Sequence, residues 1–291
     1  MSETTTTQAP ARTPKPKWLR VKLPTGKKYT ELRGLVDKYE LHTICTSGSC
    51  PNIGECLGEG TATFMILGNI CTRSCGFCGV QTGRPDTVDW AEPEKVARSI
   101  KIMSIKHAVI TSVDRDDLPD QGTIIWTETV KAIRRMNPNT TLETLIPDFQ
   151  GREDLLNRIV EVAPEVVSHN METVRRLTRE VRIQAKYDRS LEALKYLKEQ
   201  GVHRTKSGLM LGLGETEEEV IASMEDLRNA KVDIITLGQY LQPSKKHLPV
   251  ADFITPEQFK KYDVFGKKMG FRHVESGALV RSSYKAHKHI E

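Results

Sequence analysis

The sequence predicts an α/β protein built as a partial (β/α)6 barrel, and three observations carry that expectation. After Gly60, six short apolar runs alternate with longer amphipathic stretches, the rhythm of repeated βα units around a parallel sheet. At 291 residues and 38% hydrophobic content, the chain is long enough to bury one full core. The segment before Gly60 lacks that rhythm and is studded with Gly48, Pro51, Gly54 and Gly58, so it reads as an appendage to the barrel.

Residues 1–16 are rich in Thr, Pro and Lys and cannot bury enough apolar surface to fold, which predicts a disordered tail. An N-terminal extension follows over 17–60. Within it Leu32, Leu35 and Val36 recur at helical spacing between Tyr29 and Glu40, and an irregular cysteine-bearing loop comes next. The barrel itself is predicted over 61–240. Its strands are Thr63 to Leu67, Ala108 to Val113, Thr141 to Ile146, Val166 to Ser168, Gly208 to Leu213 and Ile234 to Leu237. Helices are predicted over Glu92 to Met103, Leu191 to Gln200 and Thr216 to Asn229, and the 180s region has room for one more short strand. The C-terminal extension, 241–291, reads as a Pro-containing loop, a helix near Pro256 to Met269 and a basic tail ending K-A-H-K-H-I-E.

A formal net charge of +5 leans weakly toward acidic partners, because Lys and Arg are scattered among Asp and Glu. No aromatic-interleaved basic motif speaks for nucleic acid. No apolar run reaches the ~18 to 20 residues that span a bilayer, and the Thr/Pro-rich start has no hydrophobic core of a signal peptide. The expectation is a cytoplasmic protein with no nucleic-acid and no membrane partner.

All six cysteines fall into two triplets, Cys45/Cys50/Cys56 and Cys71/Cys75/Cys78. In a reducing compartment such a grouping holds metal rather than disulfides. The second triplet has the spacing C-x3-C-x2-C, which can hold three irons of a [4Fe-4S] cube and leave the fourth open to a small molecule. Zinc favours four tetrahedral ligands and paired C-x2-C knuckles, a poorer match. This triplet follows the first predicted strand, and ligand-binding loops of such barrels gather at the carboxyl ends of strands.

The C-x3-C-x-aromatic-C motif, with Phe77 as its aromatic residue, resembles that of the radical S-adenosylmethionine enzymes. From Lys17 onward the chain resembles their lipoyl synthase family. The residues carrying the likeness are L-H-T-I-C-T-S-G-S-C-P-N-I-G-E-C (41–56), the triplet at 71–78, R-D-D-L (115–118), L-I-P-D-F (145–149), H-N-M-E-T (169–173), G-L-G-E-T (212–216), Q-Y-L-Q-P-S (239–244) and R-S-S-Y (281–284).

The resemblance implies two [4Fe-4S] clusters and S-adenosyl-L-methionine. Cys71, Cys75 and Cys78 would bind the cube that holds S-adenosylmethionine, whose reductive cleavage gives a 5′-deoxyadenosyl radical. Such a radical suits unactivated methylene and methyl carbons that no protein base deprotonates. Cys45, Cys50 and Cys56 would hold an auxiliary cluster with a serine of R-S-S-Y as its fourth ligand, Ser283 rather than Ser282. Oxygen is a poorer match to iron than thiolate, so Ser283 release is expected to expose sulfide to the substrate radical. The implied reaction places sulfur at C6 and C8 of an octanoyl chain on a lipoyl carrier domain. Implied partners are octanoylated 2-oxoacid dehydrogenase E2 subunits and the glycine cleavage H protein, a low-potential ferredoxin- or flavodoxin-type donor, and an iron–sulfur carrier for cluster rebuilding.

Asn170 and Glu172, at the end of the fourth predicted strand, are expected on the cofactor by the same resemblance, as are Gly212, Gly214 and Glu215. A plain strand-to-helix turn explains G-L-G-E-T equally well. R-D-D-L reads as a solvated loop with an Asp cap, and Thr111 and Asp114 are candidates for the pocket wall. No histidine is assigned to metal; His287 and His289 belong to the basic tail and His203 to a strand approach. Leu57 stands where many relatives have Trp, and T-S-G-S (46–49) replaces a commonly acidic spacer, while the cysteine spacing is intact. A biotin-synthase-like enzyme would need further cysteines on the strands. A ferredoxin-type carrier would leave roughly two hundred residues of βα pattern without a task.

Overall fold

In β1 (Thr61–Ile66) the side chains alternate, with Phe64 and Ile66 buried among helices while Thr63 and Met65 face the barrel interior. This is a computed structural model, and it describes residues 15–20, 30–31, 34, 43 and 50–290. Most of the tail over 1–16, most of the helical stretch over 29–40, and Cys45 lie outside the described residues. A six-residue helix, α1 (Ile53–Gly58), leads into β1 and carries Cys56.

The loop after β1 contains two short segments, β2 (Ile70–Cys71) and β3 (Gln81–Thr82), which pair with each other in parallel. The chain then alternates through α2 (Glu92–Ile102), β4 (His107–Ser112), α3 (Thr123–Met136), β5 (Thr141–Leu145), α4 (Glu153–Glu161) and β6 (Val166–Ser168). It continues through α5 (Thr178–Val181), α6 (Tyr187–Glu199), β7 (Thr205–Leu211), α7 (Glu217–Asn229), β8 (Ile234–Gln239), α8 (Pro256–Lys268) and β9 (His273–Gly277). Strands β1-β4-β5-β6-β7-β8-β9 form one sheet in that order, every pairing parallel.

Local chemistry fixes the helix starts. Thr216 and Glu219 form a reciprocal capping box on α7, and the Thr255 hydroxyl accepts from the Gln258 amide at the head of α8. Glu92 opens α2 with its carboxylate reaching back to the Leu67 amide at 2.7 Å. That bond ties the helix to the end of β1, where Leu67 has φ +68°.

All six predicted strands are present, and a seventh is added. The C-terminal extension supplies β9, which extends the sheet beyond β8 where only a helix and tail were expected. The extra strand anticipated in the 180s is absent from the described residues; α5 and a turn stand there, and a single bridge pairs Glu172 with Leu209 instead. His289 is not a solvated tail residue: it is fully buried, its ring centroid 5.7 Å from that of His273 at the amino end of β9.

β1 and β9 are the two edges and do not pair, so the barrel is open between them. Side chains from both extensions cross the gap. The Asn52 amide donates to the Leu279 carbonyl at 2.7 Å, the Tyr284 hydroxyl donates to the Glu55 carboxylate at 3.0 and 3.1 Å, and the His287 ring meets the Thr61 hydroxyl at 3.2 Å. Among the described residues no helix is long and apolar enough to cross a membrane.

Candidate active site

Among the described residues, two cavities in the interior share a wall. The larger, about 880 Å³, is lined by all three thiols of the second triplet together with Thr111 and Asp114. The smaller, about 600 Å³, is lined by Cys50, Cys56, Ser282 and Ser283. Phe77, Asn170, Glu172 and Pro243 line both. The two cysteine groups, far from interleaved in sequence, therefore face one interior space from opposite sides. Cys45, the remaining member of the first triplet, lies outside the described residues.

The loop bearing Cys71, Cys75 and Cys78 is held by a buried charge network. Arg73, with 4% of its side chain exposed, places its guanidinium on Asp116 through two bonds of 2.6 and 2.8 Å, on Asp148 at 2.9 Å and on Asp114 at 3.2 Å. Asp148 is fully buried and also takes Arg189 at 2.7 Å. Burial alone would raise Asp148, yet Arg73, His169 and Arg189 outweigh it and bring its carboxyl down to about 2. Asp114 moves the other way, because its burial outweighs the same arginine. R-D-D-L is thus divided: Arg115 pairs with Asp117, while Asp116 serves the cysteine loop. The cap of α3 comes from Asp120, whose carboxylate accepts from the Gly122 and Ile124 amides.

Cys71 Sγ accepts from the amides of Arg73 and Asp114 at 3.4 and 3.3 Å and donates to the Asp114 carboxylate at 3.6 Å. Burial, with Asp114 adding to it, pushes Cys71 up to about 11; burial likewise pushes Cys75 to about 12 and raises Cys78. No disulfide joins the five described cysteines. Among the described residues no three His, Cys, Asp or Glu side chains converge on a single-ion position. The thiols instead ring an open space, which suits a cluster in which each thiolate meets its own iron.

Because these thiols are protonated in the metal-free chain, loading must release protons. Raised thiol pKa values move thiolate formation to higher pH, so anaerobic cluster assembly at the second triplet should accelerate between pH 7 and pH 9. Iron incorporation followed by absorbance, in a chain whose first triplet is changed to alanine, measures this. A flat profile would contradict the burial argument.

Asn170 and Glu172, expected on the cofactor, lie in the wall that the two cavities share. Asn170 Nδ2 donates to Glu172 Oε1 at 3.0 Å, while Asn170 Oδ1 is buried without a partner and faces the cavities. Burial raises the carboxyl of Glu172, partly offset by Arg182. Glu172 also holds φ +65°, a backbone conformation that a non-glycine residue adopts only under constraint; its amide donates to the Gly208 carbonyl and its carbonyl accepts from the Met210 amide. A Cβ on Gly208 would lie 2.6 Å from Thr236 Oγ1 and 3.0 Å from Asn170 Oδ1, so only glycine leaves Asn170 its place.

Gly212, Gly214 and Glu215 line neither cavity. The Glu215 carboxylate accepts from the Gly212 and Leu213 amides, and both glycines have positive φ, so the turn into α7 itself explains them. Arg73 and Arg182 escaped the sequence reading. Arg182 is buried, lines the larger cavity and donates to the Met171 carbonyl and Ser190 hydroxyl. Arg73 stood inside the cysteine motif, but nothing in the motif distinguishes a stapling arginine from a solvated one.

Gly238 in β8 abuts the strap that carries Ser283: a Cβ there would fall well inside contact distance of the Val280 carbonyl. Gly238→Ala should therefore displace residues 279–284 and cost about 1–3 kcal/mol from overpacking. Thermal unfolding of the metal-free chain measures the cost. Iron content should fall on the first-triplet side only.

The model of the Radical SAM superfamily matches residues 65–227. Solved structures share the fold: Streptococcus suis SuiB bound to S-adenosylmethionine has a TM-score of 0.60 at 13% identity, covering 87% of this chain and 62% of that one. Methylornithine synthase has a TM-score of 0.55 at 15% identity, covering 87% and 83%. The chain is a radical S-adenosylmethionine protein.

Within that class it belongs to the lipoyl synthase family. It is 82% identical to the lipoyl synthase of Flavobacterium psychrophilum over 276 residues, 95% of each chain. It is 79% identical to the mitochondrial lipoyl synthase of Nematostella vectensis over 290 residues, the full length of both.

Proposed function

We infer that the chain is a sulfurtransferase of the lipoyl synthase kind, inserting two sulfur atoms at C6 and C8 of an octanoyl-lysine on a lipoyl carrier domain. The observation that carries the reading is the shared wall of Phe77, Asn170, Glu172 and Pro243 between a cavity with three thiols and one with Cys50, Cys56 and Ser283.

When bound, the two [4Fe-4S] clusters and S-adenosylmethionine supply an electron, an adenosyl radical and sulfide. The residues of this chain bind and orient. Cys71, Cys75 and Cys78 hold one cluster, with Arg73 fixing their loop. When the Cys71 proton leaves on loading, Asp114 keeps Arg73 as its counter-charge. Asn170 Oδ1 offers an acceptor to an amine or ribose hydroxyl, and Glu172 a carboxylate beside it. Phe77 lines both cavities and packs against the apolar core, which helps exclude water. Cys45, Cys50, Cys56 and Ser283 would hold the second cluster, which would supply sulfide, and the Tyr284–Glu55 and Asn52–Leu279 bonds hold the serine strap against the cysteine helix.

Octanoylated E2 domains or the glycine cleavage H protein fit as substrate carriers, because a long flexible lysyl arm can enter while the carrier stays outside. A low-potential ferredoxin or flavodoxin supplies electrons, and an iron–sulfur carrier rebuilds the consumed cluster. Mass spectrometry of an octanoylated H protein, after anaerobic incubation with dithionite and S-adenosylmethionine, tests the reading. The expected result is the mass of a lipoyl group. An unchanged carrier in the presence of both clusters refutes it.

A further inference from the structure

The cysteine loop lines the larger cavity with its three thiols, and its residues 74–79 are half-buried or exposed. Gly79 is exposed and Ser74 half-buried. Two segments grip this loop. On one flank the Gly76 amide donates to the Val181 carbonyl at 2.9 Å, and the Gln184 side chain exchanges bonds with the Ser74 amide and hydroxyl at 3.2 and 3.3 Å. On the other, the Leu248 amide donates to the Gly76 carbonyl at 3.0 Å, and His247 Nε2 meets the Cys78 carbonyl at 2.9 Å.

Those two segments carry cations that the fold leaves unused. Arg179 and Lys186 on the first flank and Lys245 and Lys246 on the second are exposed and enter no ion pair among the described residues. Their neighbours Arg175 and Arg176, by contrast, are committed to Asp188, Asp226 and Glu219. Glu180 is the carboxylate that interrupts the group. Ile183 stands among them with 60% of its surface exposed, an apolar side chain that gains from being covered.

We propose that this face, formed by Arg179, Ile183 and Lys186 on one side and Lys245 and Lys246 on the other, is the docking surface for an acidic, low-potential one-electron carrier protein. The inference rests on the reading of Cys71, Cys75 and Cys78 as ligands of a redox cluster. One electron leaves the carrier, which is oxidised by one unit, and enters the cluster, which passes from 2+ to 1+. No atom is transferred, so the partner needs only to approach closely and briefly. Unpaired surface cations around a small apolar contact suit such an encounter, because they raise the association rate and let the product complex dissociate. A lipoyl carrier also meets a basic face well, but its requirement is entry of the arm into the cavity that Cys50 and Ser283 line, and only Gln242 and Pro243 of that wall adjoin these flanks, Gln242 Nε2 donating to the His247 carbonyl at 2.8 Å, while none of the four cations lines it.

The test uses the full chain with both clusters, comparing the unaltered protein with Lys245→Glu/Lys246→Glu and, separately, Arg179→Glu. Cluster reduction is followed anaerobically by stopped flow with a photoreduced acidic two-[4Fe-4S] ferredoxin, and again with dithionite. Each charge reversal should slow reduction by ferredoxin about tenfold at low salt and flatten its ionic-strength dependence, while dithionite rates stay unchanged. Equal ferredoxin rates in all proteins overturn the proposal. So does a raised KM for octanoylated H protein with unchanged ferredoxin rates, which would assign the face to the lipoyl carrier. Equal slowing with both reductants overturns it too, by placing the effect on the cluster. Absence of a reducible cluster at Cys71, Cys75 and Cys78 in the unaltered protein would instead remove the underlying reading.

Discussion

Arg73→Met should be the most damaging single substitution away from the cluster ligands, lowering the stability of the metal-free chain by about 3–5 kcal/mol. The guanidinium is the common partner of Asp114, Asp116 and Asp148, and Asp148 has no solvent to turn to. Removing one member of a buried charge network costs more than forming it gained, because the carboxylates left behind are desolvated without compensation. Arg73→Lys should recover part of the loss. It restores the charge but not the fork that reaches Asp116 and Asp148 together.

The pH dependence separates this account from a general packing defect. In the intact chain the Asp148 carboxyl sits at about 2, below an unfolded value of roughly 3.9. Its contribution is therefore fully present above pH ~4 and lost as pH falls toward 2, on the order of 2 kcal/mol in all. Without Arg73 the carboxyl of Asp148 rises and takes up a proton more readily, which relieves the buried charge. The gap between variant and parent should consequently be widest near pH 7 and narrow at pH 3, as measured by urea unfolding under reducing conditions. A gap that is the same at both pH values would show that lost packing, not lost charge, dominates.

The same network shows where the sequence was informative and where it was not. Strands β1 and β4 to β8 announce themselves because each is largely buried and carries a short apolar stretch between amphipathic segments, although T-L-E-T-L and T-K-S-G-L-M-L also bury the Glu143–Lys206 ion pair. β9 does not: all five residues of H-V-E-S-G are half-buried at an open edge, and one aliphatic side chain among them makes no pattern. The cysteine triplets are legible because their ligands are close in sequence. The contacts that join the two ends of the molecule are not, since Asn52 and Leu279, or Glu55 and Tyr284, are more than two hundred positions apart and of ordinary residue types. G-L-G-E-T is ambiguous in another way. A glycine-rich turn before an acidic helix has the same sequence whether it cradles a ligand or merely turns, and here Glu215 spends its carboxylate on its own loop.

Ser283→Cys should leave the second cluster filled while nearly abolishing product. In the structure Ser283 lines the cavity with Cys50 and Cys56. Its strap is fastened on one side by the Asn52–Leu279 bond and on the other by Tyr284 on Glu55 and His287 on Thr61. Fastened at both ends, the segment can release its serine without the rest of the tail departing. A hydroxyl oxygen is a hard, weak donor to iron, and a thiolate is a softer and tighter one. If the thiolate holds by only ~3 kcal/mol more, release slows about a hundredfold, and sulfide stays covered. Iron content should remain near eight atoms per chain, as two four-iron clusters require, and cleavage of S-adenosylmethionine should continue without thiolated product. Ser282 lines the same cavity, which makes Ser282→Cys the necessary comparison: it should keep most of the turnover. Full turnover by Ser283→Cys, or the reverse order of the two variants, would assign the ligand to Ser282 or remove serine release from the reaction.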